Sequence, residues 1–184
     1  MRKVVPLFLL LMAGCATVPP PASVREPQTI PQAPVVEEAR ADVEKHVVER
    51  FGAAALARAR AAPEFIAALR YPGMPMPPYD TDGHPIKPSV PTALLYRENG
   101  QWFAYGINGA EPVLPRWSDQ LNTLLAKPEL WVEPADGGAV GCTDSGGSYA
   151  WLRIADHPEQ ARIGHCGGSP LTEQLVSGAF LRGI

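Results

Sequence analysis

The chain has 184 residues, a formal net charge of −3 and a sequence pI near 5.8. That length supports one domain with a real core plus a tail rather than two full domains. The acidic balance, with no Lys/Arg cluster of useful length, excludes the electrostatic footprint of a nucleic-acid binder.

Arg2 and Lys3 give a positive start, Val4 to Met12 form an apolar run, and Ala13-Gly14 supply small residues just before Cys15. The eleven residues from Val4 to Gly14, at 1.5 Å each, reach roughly 16 Å, too short for a hydrocarbon layer of about 30 Å. The segment resembles the lipobox of bacterial lipoproteins: Ala13, Gly14 and Cys15 match it, and Met12 stands where Leu is usual. The resemblance covers the first fifteen residues only. It implies removal of residues 1–14, a lipid on the Cys15 sulfur, and acylation of the new amino terminus by palmitate-type chains. Several acyl chains, each stabilised by about 0.8 kcal/mol per buried methylene, hold a protein on a membrane where one would not. Ala16, rather than Asp, follows the cysteine, a pattern similar to lipoproteins sent on to the outer membrane. The implied location is the cell envelope, lipid-anchored and facing the periplasm. With Cys15 taken by lipid, Cys142 and Cys166 remain as an even pair in an oxidising compartment and are expected to form a disulfide; two buried free thiols are the alternative.

The prolines crowd into residues 19–34 and 72–91, the natural boundaries of the chain. Residues 15–35 read as a lipidated, proline-rich tether without a periodic apolar pattern, and residues 36–184 as a single domain. Val36, Val43, Val47, Phe51 and Ala54 recur at helical steps, which predicts an amphipathic helix that Gly52 bends or breaks. Pro63-Glu64 is expected to open a second helix through Phe65, Ile66 and Leu69, so that residues 36–71 form a helical part. Its apolar stripe serves either the chain's own core or a larger assembly.

Residues 72–91 hold too many prolines for a helix or an internal strand and read as a long surface loop. Thr92–Glu98 and Gln101–Ile107 flank Asn99-Gly100, the strongest short hairpin signal. That register puts Leu94, Tyr96, Phe103 and Tyr105 on one face, Leu95, Ala104, Arg97 and Trp102 on the other, and Arg97 opposite Trp102. Asn108-Gly109 turns the chain again. Trp117, Leu121, Leu124 and Leu125 predict a helix capped by Ser118 or Asp119. Short strands are expected at Leu130–Glu133, Ala139–Thr143, Ser148–Ile154 and Ala161–Cys166. Tyr149, Trp151 and Arg153 alternate with Ala150, Leu152 and Ile154, as in an antiparallel sheet packed chiefly on one side. Ser169-Pro170 opens a closing helix with Leu171, Leu175, Val176, Ala179 and Phe180. The predicted fold is α+β: N-terminal helices, an antiparallel sheet with one inserted helix, a C-terminal helix and one disulfide, the sheet and its helices occupying residues 92–184.

Asp144-Ser145-Gly146-Gly147 resembles the run around the nucleophile of chymotrypsin-like serine proteases, but departs from it. Thr143 stands where that family has Gly, Ser148 where it has Pro, and His165 follows the serine without the expected context. A turn between strands needs the same residue types. Envelope cysteine peptidases carry an Asp-Cys-Ser-Gly run that neither Gly141-Cys142-Thr143 nor Gly164-His165-Cys166 reproduces, and neighbours on a strand point to opposite faces. Asp80, Asp82 and His84 lack calcium-loop spacing, with glycine at position four instead of six. His46 and His157 have no ligand-spaced partner, and no catalytic, metal or cofactor residue is assigned. Four tryptophans and five tyrosines offer aromatic material for a peptide or glycan surface. The expected function is a membrane-anchored envelope lipoprotein with a small non-catalytic binding or assembly domain, its partner an envelope protein or peptidoglycan. The alternative is an envelope hydrolase acting on peptidoglycan or peptides through residues 142–166, using Ser145 or a histidine.

Overall fold

The computed structural model describes residues 34–71, 81–82, 90–136, 146–164 and 170–180. Helix α1 (Pro34–Phe51) runs into α2 (Ala53–Ala61), broken at Gly52, whose φ of 88° lies in the region that favours glycine. The break changes the helical phase. Val36, Val43 and Val47 are buried on α1, as spacing predicts, together with Ala39, but beyond the break Ala55, Leu56 and Ala59 turn inward while Ala54 is exposed. Val43 and Val47 pack within the chain's own core and Phe51 lies against it, so this stripe is not a free assembly surface.

Residues 64–70 are a strand, β1 (Glu64–Arg70), and not the helix expected from Pro63-Glu64. The reason is its central position: a strand buried on both faces reads as an unbroken apolar run, which periodicity cannot tell from a helix. Phe65, Ala67 and Leu69 face α1 and α2, while Ile66 and Ala68 face the opposite layer. Strands β2 (Thr92–Glu98) and β3 (Gln101–Gly106) form the predicted hairpin, with Leu95 opposite Ala104, Tyr96 opposite Phe103 and Arg97 opposite Trp102. Asn99 at φ 51° and Gly100 at φ 80° supply the positive angles such a tight turn demands. Strand β4 (Gly109–Pro112) continues the meander after a turn that leaves Ile107 fully exposed.

The chain then crosses the sheet through α3 (Pro115–Leu125) and α4 (Pro128–Val132), and returns as β5 (Ser148–Ile154) and β6 (His157–Gly164) before α5 (Pro170–Phe180) closes the fold. Two helices, not one, are inserted, because Leu130–Val132 belongs to α4 instead of the expected strand; Pro128 sits in its first turn and the Trp131 indole N–H donates to the Leu125 carbonyl at 2.9 Å. Helix α3 starts at Pro115 after Leu114, which forms no side-chain cap, so neither Ser118 nor Asp119 caps it. The expected strand at residues 139–143 lies outside the described residues.

The sheet is antiparallel throughout, in the order β4-β3-β2-β1-β5-β6, and the fold is α+β. It is covered on both faces, by α1 and α2 on one side and α3, α4 and α5 on the other, not chiefly on one. The alternation along β5 misleads because Trp151 is fully buried on the side that also carries Tyr149 and Arg153. The Arg40 and Arg60 guanidiniums lie 5.5 and 4.9 Å from its ring, and its indole N–H donates to Glu159. On β6, Arg162 is only 1% exposed; it donates to Thr172 Oγ1, Gln160 Oε1 and the Glu133 carbonyl, and burial lowers its pKa while Glu133 opposes that shift. The Ile163 N–H donates to the Ala135 carbonyl at 2.7 Å, tying the segment after α4 to β6.

Candidate functional site

Where β1 begins, β2 ends and β5 turns into β6, helices α3 and α4 stand off the sheet and leave a cleft of about 470 Å³. Its volume falls within the range of small-ligand sites. Glu64 is 8% exposed and lies directly across from Arg97 in the β1–β2 register. Its Oε2 accepts from Arg97 Nη1 at 3.0 Å, and its Oε1 accepts from the Ala155 N–H at 3.3 Å. Arg97 Nε donates to the Gly100 carbonyl at 3.2 Å, and the guanidinium carbon lies 5.9 Å from the Trp102 ring. The predicted Arg97–Trp102 contact is therefore present, and a cation over an aromatic face is stabilised by about 0.5–1 kcal/mol when partly exposed.

Trp102, fully buried, directs its indole N–H to Asn122 Oδ1 on α3 at 2.8 Å, which brings that helix to the cleft. On the far wall, the His157 ring stacks on Trp131 with centroids 3.7 Å apart and planes 8° from parallel. Burial lowers the His157 pKa below the ordinary imidazole value, with the Asp156 carboxylate pulling the other way. The imidazole is accordingly neutral at pH 7, with one donor and one acceptor nitrogen. Leu125 and Ile154 add aliphatic wall.

Neither His157 nitrogen, nor Arg97 Nη2, nor Asn122 Nδ2 has a hydrogen-bond partner among the described residues. The cleft thus sets polar groups beside an aromatic stack, the mixed lining usual in small-ligand pockets. Its described lining holds no serine, threonine, cysteine or lysine to act as a nucleophile, and both oxygens of its buried carboxylate are engaged. Two other hollows differ in kind. One of about 380 Å³ between α3 and α5 is mainly apolar, with exposed Gln120, Thr123 and Gln174 at its margin; another, of about 770 Å³, lies beside the turn carrying Ile107.

The residues singled out by sequence are placed unevenly. Cys15, Asp80, His84, Cys142, Ser145, His165 and Cys166 lie outside the described residues, and Asp82 falls in a two-residue described stretch. Among the described residues no three His, Cys, Asp or Glu side chains gather to hold a metal, and no helix is long and apolar enough to cross a membrane. His46 accompanies Tyr71 edge-on at 5.7 Å and bonds the Asp42 carbonyl through Nδ1 at 2.9 Å. Of the tryptophans, Trp102 and Trp151 are core, while Trp117 and Trp131 remain partly exposed. The Glu64–Arg97 pair and the His157–Trp131 stack were not found from sequence: the first becomes visible only when 64–70 is read as a strand, the second only when 128–132 is read as a helix. No protein-family model, curated protein or solved structure matches the chain.

Proposed function

We propose that the chain is a cell-envelope lipoprotein, anchored through Cys15 in the outer membrane and facing the periplasm, whose α+β domain recognises an envelope component through the Glu64–Arg97–His157 cleft. The observation that carries the recognition role is the cleft itself, where partly buried polar groups whose hydrogen-bonding capacity is unfilled among the described residues border a tryptophan stack. The lipobox-like start supplies the anchor. Helix α1 begins at Pro34, immediately after the proline-rich sequence, so the chain has a spacer of about eighteen residues between lipid and fold; extended at about 3.1 Å each it would reach roughly 55 Å.

A Cys142–Cys166 disulfide belongs to the same proposal. Its support is that the flanks of the two cysteines run side by side: Ser148 pairs with Gly164, and the Ile163 N–H bonds the Ala135 carbonyl. In the chain-entropy model such a bridge stabilises by roughly 3–4 kcal/mol.

Labelling cells with an alkynyl palmitate analogue, followed by membrane fractionation, tests the anchor. Label on the wild type and none on Cys15→Ser, with the variant leaving the membrane fraction, is expected. Equal labelling and fractionation of both proteins would defeat the proposal.

A further inference from the structure

We propose, resting on the recognition role above, that the cleft binds a neutral secondary amide carrying an apolar substituent, its carbonyl taken by Arg97 and Asn122 and its N–H by His157. Both donors are fixed, with donor ends unspent among the described residues. The indole N–H of Trp102 can only donate, so the oxygen of Asn122 must be the atom facing it at 2.8 Å, and the amide nitrogen is left with its two hydrogens. Arg97 commits Nε to Gly100 and Nη1 to Glu64, leaving Nη2 without a partner among the described residues.

The cleft's charges select against an anion. Arg97 is already offset by Glu64, Asp156 adds a negative charge at the rim, and His157 is neutral at pH 7. An incoming carboxylate would meet a net negative lining, whereas a carbonyl accepts from the same donors without that repulsion. A secondary amide also brings one N–H, and the neutral imidazole offers one acceptor nitrogen to receive it. Trp131, Leu125 and Ile154 provide apolar surface for the substituent. This chemistry is found in a peptide bond and in an acetamido sugar alike.

The test uses the purified lipoprotein in detergent micelles, titrated with N-acetyl-leucine methylamide, N-acetyl-leucine, N-acetylglucosamine and glucose while the Trp131 indole N–H resonance is followed. Binding of the methylamide identifies a peptide source, and binding of the acetamido sugar but not glucose a glycan source. In either case the anionic N-acetyl-leucine binds about tenfold more weakly than whichever neutral amide binds, or not at all, as expected for gain of repulsion. Asn122→Asp keeps the acceptor for Trp102 but replaces the free donors with charge. His157→Phe keeps an aromatic ring against Trp131 but removes both nitrogens. Each weakens amide binding about tenfold while the indole N–H resonance of Trp151, on the opposite face of the sheet, keeps its folded position. Acid binding as tight as amide binding, or no response of the cleft to either amide, overturns the inference. If in-cell cross-linking at the cleft still depends on Asn122 in that case, the recognition role stands and only the amide chemistry falls.

Discussion

Two glycines near one helix are expected to respond to the same substitution with opposite signs. An alanine methyl at Gly164, the last residue of β6, would lie 2.8 Å from the Glu173 backbone nitrogen, 3.0 Å from Thr172 Cγ2 and 3.1 Å from the Thr172 carbonyl carbon. Ordinary carbon contacts begin near 3.5 Å, so the first turn of α5 must retreat by about 0.5 Å or more. Most of those atoms are backbone and cannot rotate away. Thr172 is also the residue whose Oγ1 accepts from buried Arg162 at 3.0 Å. Overpacking costs about 1–3 kcal/mol, and weakening a buried hydrogen bond to a charged group adds about 1 kcal/mol, so Gly164→Ala should lose about 2–4 kcal/mol. At Gly178, within α5, a methyl group meets nothing within 4 Å. There the substitution removes glycine's helix penalty and should gain about 0.5–1 kcal/mol. Equilibrium urea unfolding of the two variants, with unchanged denaturant slopes, measures both. A neutral Gly164→Ala, or equal shifts for the two, would refute the close packing of β6 on α5.

Three further outcomes follow from the same packing. Burial, with Asp42 beside it, pushes the Tyr71 hydroxyl up to about 12, so its phenolate should appear last in a spectrophotometric titration and vanish from it in Tyr71→Phe; because the folded pKa lies above the usual 10, its share of stability is present below pH 10 and lost as pH rises toward 12. His157 shows the opposite case: its folded pKa lies below the usual imidazole value, so its share is present above about pH 6.5 and lost on acidification. Wild type should therefore lose more stability than His157→Phe between about pH 7.5 and about pH 5.5, and equal losses would contradict the burial of this ring. Val47→Asp places a carboxylate at a fully buried position of α1 and should cost more than about 4 kcal/mol by thermal or urea unfolding; a folded, stable variant would mean that this face is not core.

The parts of the fold that carry strong local chemistry were legible. Asn99-Gly100 gave the hairpin and its register, and therefore the placement of Arg97 on Trp102; the steps from Val43 to Val47 gave the buried face of α1. What failed depended on tertiary position. Phe65–Leu69 looked helical because a central strand buries every residue, and Leu130–Val132 looked like a strand because a single turn of helix is too short to show a period. Those two errors hid the cleft, since Glu64 meets Arg97 only across paired strands and Trp131 meets His157 only from a helix. The proposed anchor, by contrast, rests on the sequence alone.

The most direct test places a photo-reactive side chain at Asp156, the exposed rim of the cleft, in living cells, with Cys15 intact. The expected result is a discrete cross-linked envelope product in the membrane fraction that disappears with Asn122→Asp and declines with Cys15→Ser. Cross-linking that is absent, or indifferent to Asn122, would contradict the claim that this cleft is where the protein meets its target.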